Sequence, residues 1–283
     1  MLLRKLTTGL PSKKITTVIL DWSGTTIDAL VKAPAVPFQD VFKKHGVTIT
    51  NTEARLPMGL PKDQHIRQIL QNPAVADRWK QVYGRESTLT DAKNLFDDFL
   101  PMQLKILSNK DYIKPLPNVI QTLQTLKKMG IKIGLTSGFN CQMTQTILDH
   151  SRDIQLESYF DTIIPADHPS IKRGRPHPDA VMSNMISMGC EDVKQCIKVD
   201  DTQSGIYEGQ RAGVLTMGLT RYNNFNGMYT DDIDQLEKEN PHAFEKLMGQ
   251  SYSHLEDAKP DYIGETLTDL VEVINKINHQ GDN

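Results

Sequence analysis

Residues 16–28, TTVILDWSGTTID, decide the fold. An apolar, β-branched run stops on a single acid, Asp21, and passes at once into a loop of small residues. The run lacks the alternation of a half-solvated strand and reads as a strand buried on both faces. Five later runs have the same character: IKIGLTS, FDTIIPA, CIKVDD, GVLTMGL and PDYIGET. Helix-period segments lie between them. NVIQTLQTLKKMG puts Val119, Leu123 and Leu126 on one stripe and stops at Gly130, and PDAVMSNMISMG and SGIYEGQRAG each stop near a glycine. Strand–helix alternation predicts an α/β protein with a doubly wound, Rossmann-like parallel sheet. Such sheets bind ligands beyond the carboxyl ends of their strands. Asp21, Thr136, Ser137, Asp200 and Asp201 all fall there.

Residues 30–110 interrupt the alternation. VPFQDVFKKHG, KDQHIRQIL, PAVADRWKQVYG and TDAKNLFDDFLPMQLKIL read as helices, with Pro101 expected to kink or divide the last. The chain therefore divides into a tail (1–14), an α/β core (15–29 and 111–283) and an all-helical cap (30–110) inserted after the first strand. Segments 29–34 and 108–115 are the expected hinges, and 221–260 is a polar excursion of weak periodicity. The tail, with Arg4, Lys5, Lys13, Lys14 and no acid, reads as a disordered cytosolic segment rather than a targeting signal.

Bulk composition narrows the partners. A net charge of −3 over 283 residues offers no broad basic surface for nucleic acid. No apolar run approaches the roughly 20 residues that span a bilayer. Cys141, Cys190 and Cys196 have neither metal-type nor redox-type spacing and read as small apolar residues in a reducing, cytoplasmic setting.

Four features recur in order at the strand ends: Asp21 in DWSGTT, Ser137 after IKIGLT, Arg175 in KRGRPHP, and Asp200 and Asp201 after CIKV. Together they make a phosphoryl-transfer kit. A carboxylate attacks phosphorus, a hydroxyl and a cation hold the phosphoryl oxygens, and further carboxylates hold Mg²⁺, which offsets the repulsion between two anions. Gly24 and Gly138 let backbone N–H groups approach the phosphate. A phosphate-ester hydrolase also needs an acid two residues after its nucleophile to protonate the departing alcohol. Ser23 stands there instead.

These residues resemble the haloacid dehalogenase superfamily, and the resemblance implies an aspartyl-phosphate on Asp21, phosphoryl binding by Ser137 and Arg175, and Asp201 as a magnesium ligand helped by Asp200. Within it, DWSGTT followed by PMGLPKDQH, with TSGF, GRPHP, KVDDT and PDYIGETLTDL, resembles the phosphonoacetaldehyde hydrolase (phosphonatase) family from residue 15 onward. The resemblance assigns Lys62 a Schiff base with the substrate aldehyde, puts Met58 and His65 nearby, makes the Ser23 carbonyl a metal ligand, and implies a homodimer formed through the caps. Thr136 and Gly138 join Ser137 as expected substrate-binding positions.

That chemistry accounts for Ser23. A carbon–phosphorus bond releases an unstabilised carbanion unless a neighbouring iminium accepts the electrons, and an enamine needs no immediate proton. An ordinary lysine, near pKa 10.4, is charged at neutral pH, so Lys62 needs burial or a nearby cation such as Arg67 to free its amine. His65, three residues on, is placed to shuttle protons.

Some positions depart from the family: Ser23 for Ala, Phe139 for Tyr, Gly205 where some members have Asp, Val31 for a cap Cys, and Leu56 where a charge is common. None removes a core catalytic group. The expected activity is Mg²⁺-dependent cleavage of a small phosphonate. The competing readings are a phosphate-monoester phosphatase or mutase on the same scaffold, and a catalytically silent binding protein.

Overall fold

The computed structural model describes residues 4–5, 13–27, 35–110, 113–228 and 230–280. Val31, the whole expected hinge at 29–34, residues 111–112 of the second hinge and most of the tail lie outside the described residues.

All six sequence-identified runs are strands. In chain order the sheet contains β1 (Arg4–Lys5), β2 (Thr17–Leu20), β3 (Lys132–Thr136), β4 (Thr162–Ile164), β5 (Cys196–Asp200), β6 (Leu215–Leu219) and β7 (Tyr262–Gly264). Their spatial order is β1-β7-β6-β5-β2-β3-β4. From β2 to β7 every pairing is parallel. At the edge, Arg4 and Lys5 of the tail pair antiparallel with Ile263 and Tyr262. After β2 the chain builds outward through β3 and β4, then returns to β5 on the other side. The switch point between β2 and β5 opens a crevice at their carboxyl ends.

The cap follows β2. Its described helices are α1 (Ala35–Lys44), α2 (Asn51–Arg55), α3 (Lys62–Gln71), α4 (Pro73–Tyr83) and α5 (Leu89–Leu107). Capping boxes start two of them, Thr50 with Glu53 at α2 and Thr88 with Asp91 at α5. Of the expected kink or division at Pro101, the division does not occur, and helix α5 is continuous through the proline. Leu95, Phe99 and Leu107 stay on one buried stripe across the proline, and their burial offsets a hydrogen-bond and steric cost of roughly 3 kcal/mol. Phe38 stacks between the His65 ring at 3.9 Å and Phe99 at 4.4 Å, which ties α1, α3 and α5 into one apolar cluster. Where the chain leaves and re-enters the core, Ile27 pairs with Pro115 in an antiparallel bridge.

The remaining helices are α6 (Val119–Lys128), α7 (Cys141–His150), α8 (Asp179–Met188), α9 (Gln203–Ala212), α10 (Thr230–Glu239), α11 (Pro241–Glu256) and α12 (Asp269–Gln280). Residues of α6 and α12 share an apolar cluster with Val18 and Leu20 on one face of β2. Val181 and Met185 of α8 and Ala212 of α9 pack with Ile19 on the other. Helices cover both faces, as a run without alternation requires. The polar excursion proves to be mainly α10 and α11, preceded by a loop at 220–228 that reaches the carboxyl end of the sheet. Among the described residues no helix is long and apolar enough to cross a membrane.

Candidate active site

Register places the acids. Leu20 pairs with Leu135 on one side and Val199 on the other, so Asp21 emerges level with Thr136 and Asp200. Asp21, Asp200 and Asp201 are buried and offer carboxylate oxygens within 4.8 Å of one another. Arg175 binds this group from below the crevice. Its Nη2 lies 2.7 Å from Asp21 Oδ1 and donates to Thr136 Oγ1 at 2.7 Å. Its Nε lies 3.0 Å from Glu208, and its Nη1 stands 3.5 Å from Asp200. Buried Lys198 reaches Asp200 Oδ2 at 2.8 Å.

The two neighbouring aspartates sit in different environments. Asp200 Oδ1 accepts from the backbone N–H of Thr202 at 3.0 Å and from its hydroxyl at 2.7 Å, so both Asp200 oxygens are occupied. Burial alone would raise its pKa, but Lys198 and Arg175 outweigh burial and hold it below the usual carboxylate value. Asp201 Oδ2 accepts from the Asn224 N–H and from Asn224 Nδ2, each at 2.7 Å. Its Oδ1 is buried without a protein partner. Burial, then the charges of Asp200 and Asp21, push the Asp201 carboxyl well up. Asp21 is raised too, by burial and by Asp200, against the pull of Arg175 and Lys198.

These residues fit a hard divalent cation. Among the described residues, four buried carboxylates, Asp21, Asp200, Asp201 and Glu208, share two ion-pair partners, Arg175 and Lys198. The orphaned Asp201 oxygen points to the missing positive charge. Asn224 Nδ2 also donates to the Ser23 carbonyl at 3.2 Å, which brings that carbonyl beside Asp201 and completes an all-oxygen donor set with Asp21. Gly24 makes the approach possible, since a Cβ there would stand 2.4 Å from Asp201 Oδ2.

On the other side of Asp21, the Ser137 hydroxyl accepts from the Phe139 N–H at 2.9 Å and lines the pocket beside Gly138. Thr136 does not line it. Its hydroxyl is hydrogen-bonded between Arg175 and Glu208, behind the pocket lining. A Cβ on Gly138 would come within 2.8 Å of the Leu60 carbonyl, so the cap loop rests directly on this turn.

Lys62 opens α3 and enters the same pocket from the cap. Its Nζ lies 5.0 Å from the Phe139 ring centroid and 5.8 Å from that of Phe38. Burial lowers its pKa to about 8, with Asp21 opposing and Arg175 assisting. The positive end of the α3 dipole works in the same direction. Arg67, expected to help, is turned away, 3.1 Å from Asp63 on the exposed face. Met58 forms another wall. His65 is fully buried, and burial followed by the nearby Lys62 charge hold its pKa well below the usual value. The ring is therefore neutral. Its Nε2–H donates to the Ala54 carbonyl at 2.8 Å, which leaves Nδ1 a lone pair with no protein partner.

The departures have physical readings. A Cβ at Gly205 would fall 1.9 Å from Asp200 Oδ2, so no side chain fits while Asp200 holds Lys198. Phe139 gives Lys62 a ring face where a tyrosine would add a hydroxyl. Leu56 is exposed and outside the pocket. Three site residues escaped the sequence reading. A lysine inside the apolar CIKV run and a glutamate on the buried stripe of α9 were visible signals, because buried charges require partners. Asn224 carried no signal beyond lying in a polar loop.

Residues 18–219 match the family model described as haloacid dehalogenase-like hydrolase. The chain is 32% identical over 264 residues to phosphonoacetaldehyde hydrolase of Bordetella pertussis, covering 93% of this chain and 92% of that one. It is 33% identical over 262 residues to phosphonoacetaldehyde hydrolase of Pseudomonas aeruginosa PAO1, covering 92% and 91%. A phosphonoacetaldehyde hydrolase-like protein from Oleispira antarctica superposes with a TM-score of 0.88 at 31% identity, over 97% of this chain and 96% of that one. A β-phosphoglucomutase from Clostridium difficile shares the fold alone, with a TM-score of 0.60 at 18% identity over 84% and 99% of the two chains. The chain belongs to the haloacid dehalogenase-like hydrolases and, within them, to the phosphonoacetaldehyde hydrolase family.

Proposed function

We propose that the protein hydrolyses the carbon–phosphorus bond of phosphonoacetaldehyde to acetaldehyde and phosphate. The observation that carries this is Lys62, a buried amine with a pKa of about 8 lining one pocket with Asp21. The Lys62 amine adds to the aldehyde and loses water to give a protonated imine. Asp21 attacks phosphorus while the carbon–phosphorus electron pair moves into the iminium. An enamine on Lys62 and a phosphoryl group on Asp21 result. Water then attacks phosphorus and releases phosphate. The enamine takes a proton on carbon, and hydrolysis of the resulting imine frees acetaldehyde and Lys62. No step needs an acid at position 23.

Arg175, the Ser137 hydroxyl and the Gly138 N–H bind phosphoryl oxygens in this reading. Met58 and Phe139 keep water from the imine, and neutral His65 accepts protons at Nδ1. Asp21, Asp201 and the Ser23 carbonyl would hold Mg²⁺, with Asp200 acting through Lys198 and Arg175. When bound, the ion would offset the repulsion between the Asp21 carboxylate and the anionic phosphonate. The enzyme is proposed to be a homodimer joined through its caps, where Val82, Tyr83 and Leu89 are exposed. It is proposed to act in the cytoplasm, in keeping with its three free cysteines.

Borohydride reduction in the presence of phosphonoacetaldehyde tests the central claim. Wild-type protein is expected to gain an irreversible adduct on Lys62, located by peptide mass mapping. Lys62→Arg should keep the positive charge yet gain no adduct and release no phosphate, because a guanidinium does not form the imine. Turnover in Lys62→Arg would sink the mechanism.

A further inference from the structure

Asn224 holds three things at once. Its N–H and Nδ2 both donate to Asp201 Oδ2 at 2.7 Å, and Nδ2 also donates to the Ser23 carbonyl at 3.2 Å. Its own carbonyl accepts from Arg55 Nη1 at 2.6 Å. Arg55 belongs to the cap, as the last residue of α2, whereas Asn224 belongs to the core loop before α10. The hydrogen bonds therefore run without a gap from the cap to the carboxylate whose other oxygen is orphaned.

We propose that Asn224 is a positioning residue for the divalent cation and that Arg55 couples cap closure to it. The inference rests on the metal site proposed above. An Asp201 carboxylate free to rotate would swap its oxygens between Asn224 and the cation. Two donors fixed on Oδ2 leave Oδ1 as the sole outward oxygen, and the third hydrogen bond aims the Ser23 carbonyl beside it. The assignment of the amide is set by its partners, because Nδ2 faces two acceptors. Asn224 Oδ1 is then buried with no protein partner, a second acceptor suited to a cation-bound water.

The Arg55 link is poised to break when the cap moves. Arg55 and Asn224 both line a cavity of about 610 Å³ between cap and core, which also borders Met58, Thr202 and Ser204. Gly59 closes the contact on the side toward the sheet, where a Cβ would stand 2.5 Å from Thr202 Oγ1. Arg175 Nη1 and the Ser204 hydroxyl donate to the cap carbonyls of Gly59 and Met58 at 3.4 Å and 3.3 Å. Those two contacts are long, while the Arg55 contact is short and charge-assisted. Cap opening costs the Asn224 loop its strongest tie to the cap, and the geometry behind Asp201 loosens with it.

Calorimetric titration with Mg²⁺, without substrate, tests this on the full chain. Asn224→Ala is expected to weaken Mg²⁺ by about 10–100-fold, as loss of a ligand-orienting partner does. Arg55→Ala, one residue removed from the lining of the pocket that holds Asp21 and Lys62, is expected to weaken it in the same direction by a few fold. In the double variant the Arg55 effect should shrink, since it acts through the same loop. Melting without metal checks that each variant is folded, and Arg55→Ala carries the test if Asn224→Ala is not. Wild-type affinity in both single variants overturns the inference and leaves the metal site standing. A wild-type protein that binds no Mg²⁺ overturns both.

Discussion

The two halves of the site are equally buried and end in opposite states. In the core, Asp21, Asp200 and Glu208 lie against Arg175 and Lys198 at 2.7–3.0 Å, so paired charge opposes burial there and outweighs it at Asp200. In the cap, Lys62 faces the rings of Phe38 and of the core residue Phe139, His65 stacks on Phe38, and the same burial lowers the pKa of both. Low dielectric punishes the charged form of a lone group and strengthens the attraction within a pair. The core therefore supplies carboxylates beside fixed cations, and the cap supplies an amine whose pKa of about 8 leaves a usable neutral fraction near pH 7. An imine-forming phosphoryl transferase needs both at one point, and a single sheet end lined only by acids would have protonated its lysine.

The comparison breaks most severely at the proposed nucleophile. Asp21→Asn keeps the shape but leaves nothing to attack phosphorus, and phosphate release is expected to fall by at least about 10⁴-fold. Borohydride trapping of Lys62 should survive in this variant, because the cap half is untouched. Loss of trapping would mean that the halves are not chemically separable.

Next comes the pairing that keeps the core charged. Glu208→Gln leaves Arg175 Nε facing a neutral amide within a buried network, and breaking a buried pair costs about 3–5 kcal/mol. Urea denaturation at pH 7 is the measurement, and a change under about 1 kcal/mol would show that the network is not paired as described.

The cap half has a pH signature. Folded Lys62 has a pKa of about 8 against an ordinary lysine value of 10.5, so between these values the unfolded chain binds more protons. Stability should therefore rise with pH across that window. The gain is on the order of 3 kcal/mol by the size of the shift, and Lys62→Met should lose it. In kinetics, kcat/KM should climb through about pH 8 in the wild type. A limb near pH 10 would place Lys62 in water and erase the contrast between the halves.

The smallest effect is reserved for Arg67. Its pairing with Asp63 on the exposed face of α3 predicts that Arg67→Ala costs under about 1 kcal/mol. The pH limb should stay where it was. A displaced limb would restore Arg67 as the cation that tunes Lys62.

Much of this was legible along the chain. Six apolar runs without alternation fixed a sheet covered on both faces, because strand character is local and needs only a window of side chains. The acids were found because strand ends are where such sheets bind, and Lys62 through the motif around it. Other features escaped. Pro101 was expected to kink or divide its helix, and tertiary packing keeps the helix undivided. Thr136 was expected at the ligand, and only the position of Arg175 and Glu208 shows that its hydroxyl is spent elsewhere.

By itself, the sequence determined which groups are available: an acid after a buried strand, a serine where an acid would protonate a leaving alcohol, a lysine in the cap and two adjacent aspartates. The tertiary structure decided what each group is. Asp200 and Asp201 are neighbours of identical chemistry, yet one is occupied by Lys198 and Thr202 and the other keeps an open oxygen. Charge state and free valence depend on distances across β2, β3, β5, the cap and the 220–228 loop. Those distances are set by packing between segments as far apart in the chain as Ser23 and Asn224, and no local window of sequence contains them.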